Sequence, residues 1–235
     1  MTKIKKKAYA TKKQSEPELM NAAHRASALL SAYRKQAIIA ASAIAVILVL
    51  VFGYRLIQAG NDKKASMLLS GAYQYYNPSG GAQPDYKNAL KLYTDIRNKY
   101  SGTPSAAAAQ YYVANCLVAL GQLNDALREY QLFEKKYSGE KELAGLVYQR
   151  MGYVYNALGN RDQSVKAFEQ SEATLGPGAA TIELARLYEQ AGKKDESDKK
   201  YKLIGEKLQG TSWDLEAKSK VKIDLPPLPP VKEQK

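Results

Sequence analysis

Cys116 and His24 are the single cysteine and the single histidine of this 235-residue chain. Nucleophilic catalysis by a thiol or hydroxyl needs a base within hydrogen-bond reach, and that base needs a further group to orient it. One cysteine and one histidine cannot supply such a set, an intramolecular disulfide, a Cys/His zinc site or a Cys-x-x-Cys-His haem attachment. The sequence has no Walker glycine loop, no Gly-x-Ser-x-Gly and no HExxH. Its carboxylates fall at helix-surface spacings, as with Glu183 and Glu189 around Arg186, where solvation and i,i+4 pairing account for them. Cys116 reads as a packed thiol two positions after Ala114, and His24 as a solvated side chain. The residues therefore predict no enzyme, no cofactor and no metal.

The formal net charge of +12 raises nucleic-acid binding as a function class. Its distribution argues against it. Nine Lys/Arg and two Asp/Glu lie in residues 1–36, whereas residues 56–214 hold 20 basic and 18 acidic side chains. The large C-terminal body is nearly neutral. A basic block beside an apolar run is an orientation signal for a membrane segment, not a stripe for a polyanion.

That run is Ala37–Tyr54, AIIAASAIAVILVLVFGY, uncharged between Lys35 and Arg55. Eighteen residues of helix span about 27 Å, against a bilayer core of about 30 Å. Its ten Ile, Leu, Val and Phe residues supply about −3 to −6 kcal/mol for insertion. A buried core helix would normally keep a polar face, and a cleaved signal peptide would start its apolar part earlier and end in an A-x-A-like site. Bulky Ile57 stands two residues before Ala59. The reading favoured is an uncleaved transmembrane helix over residues 37–57. Lys3, Lys5, Lys6, Lys7, Lys12, Lys13, Arg25, Arg34 and Lys35 should keep the N-terminus cytoplasmic, with everything after Arg55 on the other side. In a Gram-negative inner membrane that side is the periplasm.

Within the basic segment, Ser15 and Glu18 fit a capping box and Pro17 a first helical turn. Leu19, Ala22, Ala26, Leu29, Leu30 and Tyr33 form an apolar stripe at helical spacing. A helix over Ser15–Gln36 would lie on lipid headgroups or dock in the cytosol, the former being preferred. Ala37, Ala41 and Ala45 permit close helix contact in a bilayer, a hint of a homodimer or of a partner helix.

After the span the chain repeats itself. A small residue is followed four positions later by an aromatic ring in Ala89/Tyr93, Ala126/Tyr130, Ser164/Phe168 and Ser197/Tyr201. Upstream of the last three stand matching turns, Leu120-Gly121-Gln122, Leu158-Gly159-Asn160 and Ala191-Gly192-Lys193. Seven residues before each glycine is another small residue, Ala114, Gly152 or Ala185, followed by Leu117, Tyr155 or Tyr188. Two antiparallel helices approach closely only where a small residue faces the neighbour, and the aromatic fills the wedge between hairpins. The glycine ends the first helix in a left-handed conformation. The first copy carries a longer turn, Asn77–Pro84, between helices expected at Asp62–Tyr76 and Asp85–Tyr100. Lys99-Tyr100-Ser101-Gly102 recurs as Lys136-Tyr137-Ser138-Gly139.

On these residues the chain resembles the tetratricopeptide repeat family. The likeness is carried by Ala114-x-x-Leu117-x-x-x-Gly121-x-x-x-x-Ala126-x-x-x-Tyr130 and its counterparts from Gly152 to Phe168 and from Ala185 to Tyr201. With the basic segment and the single span, residues 1–217 resemble the YfgM-like family, whose type is an ancillary subunit of the Sec translocon with a chaperone-like periplasmic domain. The expected organisation is a basic segment (1–36), a transmembrane helix (37–57), an all-α repeat solenoid of about 3.5–4 hairpins (58–217) and a Pro/Lys-rich tail (218–235). LPPLPP, Leu225–Pro230, reads as polyproline II, either a disordered end or a segment that docks on a partner or on the domain itself.

The resemblance implies partner binding along the face formed by the first helices of the hairpins. Carried over position by position, it selects Tyr111 and Asn115, then Gln149, Tyr153 and Asn156, then Ile182, Arg186, Glu189 and Gln190, with Tyr73 and Tyr76 from the first repeat. Asn and Gln can bond any peptide backbone, and Tyr offers a flat amphipathic face. Packing is the competing account for any of these side chains. Tyr111 stands where the peptide-terminus clamp of some members needs Lys, which argues against that clamp. The resemblance thus implies a scaffold for translocon subunits or for unfolded and extended peptides. The alternatives are a fixed structural subunit or assembly factor of another envelope complex, and an accessory to a partner enzyme.

Overall fold

The computed structural model describes residues 33–222. The basic segment up to residue 32, with His24 and nearly all of the expected Ser15–Gln36 helix, lies outside the described residues, as does LPPLPP. The described chain is α-helical: α1 (Arg34–Tyr76), α2 (Tyr86–Lys99), α3 (Pro104–Ala119), α4 (Leu123–Tyr137), α5 (Lys141–Ala157), α6 (Arg161–Leu175), α7 (Ala179–Gln190), α8 (Lys194–Lys207) and α9 (Ser212–Lys220). It divides into two compact units, one ending at Ile57 and the other starting at Gln58.

In the first unit, the apolar residues of α1 from Ile38 to Phe52 are exposed. Among the described helices, α1 alone is long and apolar enough to cross a membrane.

The second unit is a run of helical hairpins, α1/α2 (through the α1 residues from Gln58 on), α3/α4, α5/α6 and α7/α8, followed by α9. Local signals set the helix starts. Thr103 Oγ1 accepts from Ala106 N–H at 3.1 Å ahead of Pro104, and Asp85 Oδ1 accepts from Asn88 N–H at 3.0 Å. The three glycine turns close alike. Gly121, Gly159 and Gly192 hold φ of 77°, 76° and 71°. The following amides reach back to the carbonyls of Leu117, Tyr155 and Tyr188 at 2.8, 2.9 and 2.9 Å. This satisfies carbonyls that the helix end would leave bare.

The small and aromatic positions meet in the core. Ala72, Ala114, Gly152 and Ala185 are buried, as are Tyr93, Tyr130, Phe168 and Tyr201. Ala72 is the first repeat's small residue, which the eight-residue Asn77–Pro84 turn disguised. In the third and fourth hairpins the second small residue is serine, and its hydroxyl donates across the hairpin, Ser164 Oγ to Gly152 O at 2.8 Å and Ser197 Oγ to Ala185 O at 3.0 Å. The Lys-Tyr-Ser-Gly echo buries Tyr100 and Tyr137, with Lys99 and Lys136 over their rings, and Lys136 Nζ donates to Ser101 Oγ at 2.6 Å.

Packed helix continues past the expected boundary at residue 217. Thr211 caps α9 by accepting from Asp214 N–H at 3.3 Å, and Ala217 is fully buried against Ile182, Ala185, Tyr201 and Ile204. Half-buried Trp213 joins the same cluster. Arg186 bonds Glu216 and Lys220 bonds Glu189. Both pairs advance in the same direction along the chain, so α9 runs parallel to α7, in the place of the first helix of a further repeat.

Candidate polypeptide-binding face

The first helices α1, α3, α5 and α7 present equivalent positions, counted from their buried small residues. Six before, three before and one after Ala72 are Ser66, Leu69 and Tyr73. The counterparts around Gly152 are Leu146, Gln149 and Tyr153; around Ala114 they are Ala108, Tyr111 and Asn115; around Ala185 they are Ala179, Ile182 and Arg186. What differs is how far each helix spends these side chains on its own packing.

On α3, Asn115 is 5% exposed and its Oδ1 accepts from Tyr130 Oη at 2.5 Å. Tyr111 is buried too, its hydroxyl receiving a long 3.4 Å bond from Arg150 Nε. On α7, Ile182 is 1% exposed, held in the cluster that docks α9. Arg186 is held between Glu183 and Glu216 at 2.9 and 2.5 Å. Glu189 accepts from Tyr201 Oη at 3.0 Å and from Lys220 at 2.7 Å. These bonds hold the Glu189 carboxyl below its usual range, Lys220 first and Tyr201 second. The wedge tyrosines Tyr130 and Tyr201 thus consume Asn115 and Glu189. Gln190 is exposed at the end of α7.

On α5 the matching wedge residue is Phe168, which has no hydroxyl to satisfy. Tyr153 packs edge-on against it at 5.0 Å between centroids and stays 36% exposed; Leu146 is 39% exposed. Gln149 is half-buried and Asn156 exposed. Neither has a side-chain hydrogen-bond partner among the described residues. Leu146, Gln149, Tyr153 and Asn156 recur on one side of α5. They form an open stripe of two apolar and two amide side chains.

A second open place lies between α1 and α3. Ser66, Leu69, Ser70, Tyr73 and Tyr112 line a cavity of about 350 Å³. Tyr112 is its hub. Its ring stacks on Tyr93 at 4.9 Å and meets Tyr76, Tyr111 and Tyr73 edge-on at 5.2, 5.4 and 5.8 Å. Burial pushes the Tyr76 phenol up to about 12, so it is a neutral donor at physiological pH. The carried-over pattern selects Tyr111, but the neighbouring Tyr112 is the one that faces this cavity. Ser66, Leu69 and Leu146 were missed as well. Ala72, once aligned with Ala114, would have located the first two.

Among the described residues, no three or more His, Cys, Asp or Glu side chains gather where they could hold a metal ion. Cys116 is buried and its thiol is pushed up to about 12 by burial.

No protein-family profile matches the sequence, and no curated protein matches it. Solved structures do match. The nearly identical TPR-like repeats of a Podosopora anserina protein assigned as a kinesin light chain superpose with a TM-score of 0.52, at 18% identity, over 67% of this chain and 83% of that one. A single-substitution variant of that protein gives 0.53 at 17% identity, over 67% and 82%. At this identity the match shows the fold. The second unit is a tetratricopeptide-like α-solenoid.

Proposed function

We propose that this chain is a membrane-anchored repeat scaffold that holds extended polypeptide against the face formed by α1, α3 and α5, outside the cytoplasm. The observation that carries the reading is the unspent stripe on α5. Two exposed apolar side chains, Leu146 and Tyr153, alternate with two unbonded amides, Gln149 and Asn156. Amides bond peptide backbone whatever its sequence, and the rings supply apolar contact at low rotamer cost. The tyrosine-lined cavity between α1 and α3 extends the same chemistry. Such a surface suits weak binding of varied clients.

Anchoring rests on the exposed apolar run of α1 and on the lysine-rich segment before it, which favours a cytoplasmic N-terminus. In a Gram-negative inner membrane the repeats would stand in the periplasm. An ancillary role beside the translocation machinery follows from the resemblance to the YfgM-like family; a fixed subunit or assembly factor of another envelope complex is the alternative. Ala37, Ala41 and Ala45 give the span a small-residue face on which a second copy or a partner helix can pack.

A photo-crosslinker at Asn156 of the full-length chain in membranes tests the assignment. Many substoichiometric products support client binding, whereas one stoichiometric partner favours the fixed subunit. A fluorescent reporter fused after Lys235 that lights up only when retained in the cytoplasm would sink the proposed orientation.

A further inference from the structure

The last described residues point to what lies on the α5 stripe when no client is there. α9 ends at Lys220, and Val221 leaves it in extended conformation, φ −137° and ψ 148°. Lys220 bonds Glu189, so the chain departs level with Glu189 and, by repeat equivalence, with Asn156 of α5. The nine residues that follow Lys222, Ile223–Val231, include Ile223, Leu225, Leu228, Val231 and four prolines, with the single charge of Asp224. Such a segment gains by leaving water, and its proline content has already removed much of the chain entropy that docking would cost.

Reach decides which part of the face it can occupy. Packed neighbouring helices lie about 10 Å apart, so the α5 stripe is about 20 Å from α9 and the α1/α3 cavity about 30–40 Å. Residues three to eight positions beyond Lys222 extend about 9–25 Å at the polyproline rise of about 3.1 Å per residue. Leu225–Pro230 of the same chain spans the first distance and falls short of the second. Aromatic side chains and hydrogen-bond donors are the surface that an extended proline-rich segment requires, because its carbonyls have no partners of their own. Tyr153, Gln149 and Asn156 provide both.

We infer that Leu225–Pro227 crosses α7 and that Leu228–Pro230 reaches α5 of its own chain, seats its leucine and prolines on Tyr153, and competes with clients for that stripe. The strap rests on the reading of the α5 face as a polypeptide-binding surface. The full-length chain carrying a photo-crosslinker at Tyr153 tests it, prepared as a mixture of light and heavy isotope copies. The expected product joins Tyr153 to the peptide containing Leu225–Pro230, in light–light and heavy–heavy pairs only. Replacing Leu225, Leu228 and the four prolines by Ser abolishes that product. It also raises capture of added reduced, carboxymethylated lactalbumin at Tyr153 by about tenfold, the relief expected when a segment tethered at about 1 mM with a dissociation constant of about 0.1 mM is removed. Mixed light–heavy products overturn the inference in favour of contact between copies. Client capture at Tyr153 with no tail product overturns the strap but leaves the face as a binding surface. Neither tail nor client at Tyr153 overturns both.

Discussion

Gly152 and Phe168 are in contact so close that a Cβ on Gly152 would stand 2.7 Å from the phenylalanine ring. Real side chains do not approach so closely, and the neighbour is a fully buried ring with no free end to swing away. Gly152→Ala therefore sets two effects against each other. Alanine gains about 1 kcal/mol in helix propensity, but it overpacks a closed hairpin at a cost of about 1–3 kcal/mol. Net destabilisation of up to about 2 kcal/mol is expected in urea titration of the full chain. Restored stability in Gly152→Ala/Phe168→Leu would tie the loss to this contact.

Ser164 and Ser197 each bond a carbonyl across their hairpin, where the first two repeats have Ala89 and Ala126. Ser164→Ala and Ser197→Ala are expected to cost about 0.5–1.5 kcal/mol each, since each leaves a buried carbonyl short of one bond. The sites lie in separate hairpins, so the double variant should add within about 0.5 kcal/mol. Strong non-additivity in equilibrium unfolding would contradict independent hairpins.

Burial pushes the Cys116 thiol up to about 12. At pH 8 the native chain should remain unmodified by a thiol-reactive dye for hours, and take up one equivalent once urea exposes the site. Rapid labelling without denaturant would mean that the α3/α4 hairpin opens.

The docking of α9 should be acid-sensitive. Its bond to Arg186 holds Glu216 low, as Lys218 does for Asp214 and Lys220 for Glu189. Folded-state values below the unfolded ones give stability that is complete above the unfolded range near 4–4.5 and drains away as pH falls through the folded values. Facing these acids are Arg186 and Glu183 of α7 and Tyr201 of α8. Trp213 is the chain's single tryptophan and sits in the α9 cluster, so its emission reports undocking. A red shift below pH 4 is expected, and Arg186→Met should shift its midpoint upward. An unchanged midpoint would assign the transition to other groups.

Much of the fold was legible beforehand because it depends on local rules. The glycine at each turn, the small residue seven positions before it and the aromatic that follows announce helix ends and close contacts within one hairpin. Gly121, Gly159 and Gly192 turn as their spacing requires, and Tyr93, Tyr130, Phe168 and Tyr201 fill the wedges. Ala72 was hidden because an inserted turn broke the spacing that marks it. α9 was hidden because a nine-residue helix carries too little periodicity to stand out from a tail.

The candidate face divides differently. The sequence by itself determined which helices line it and which positions point toward it, because a helical repeat puts equivalent residues on equivalent faces. Only the tertiary structure decided which of those side chains remain to meet a partner. Tyr130 and Tyr201 reach across their hairpins and consume Asn115 and Glu189; Phe168 has no hydroxyl, and so leaves Asn156 unbonded. That choice is made by contacts between helices, and among the described residues it leaves an open stripe on α5 in an otherwise regular row of repeats.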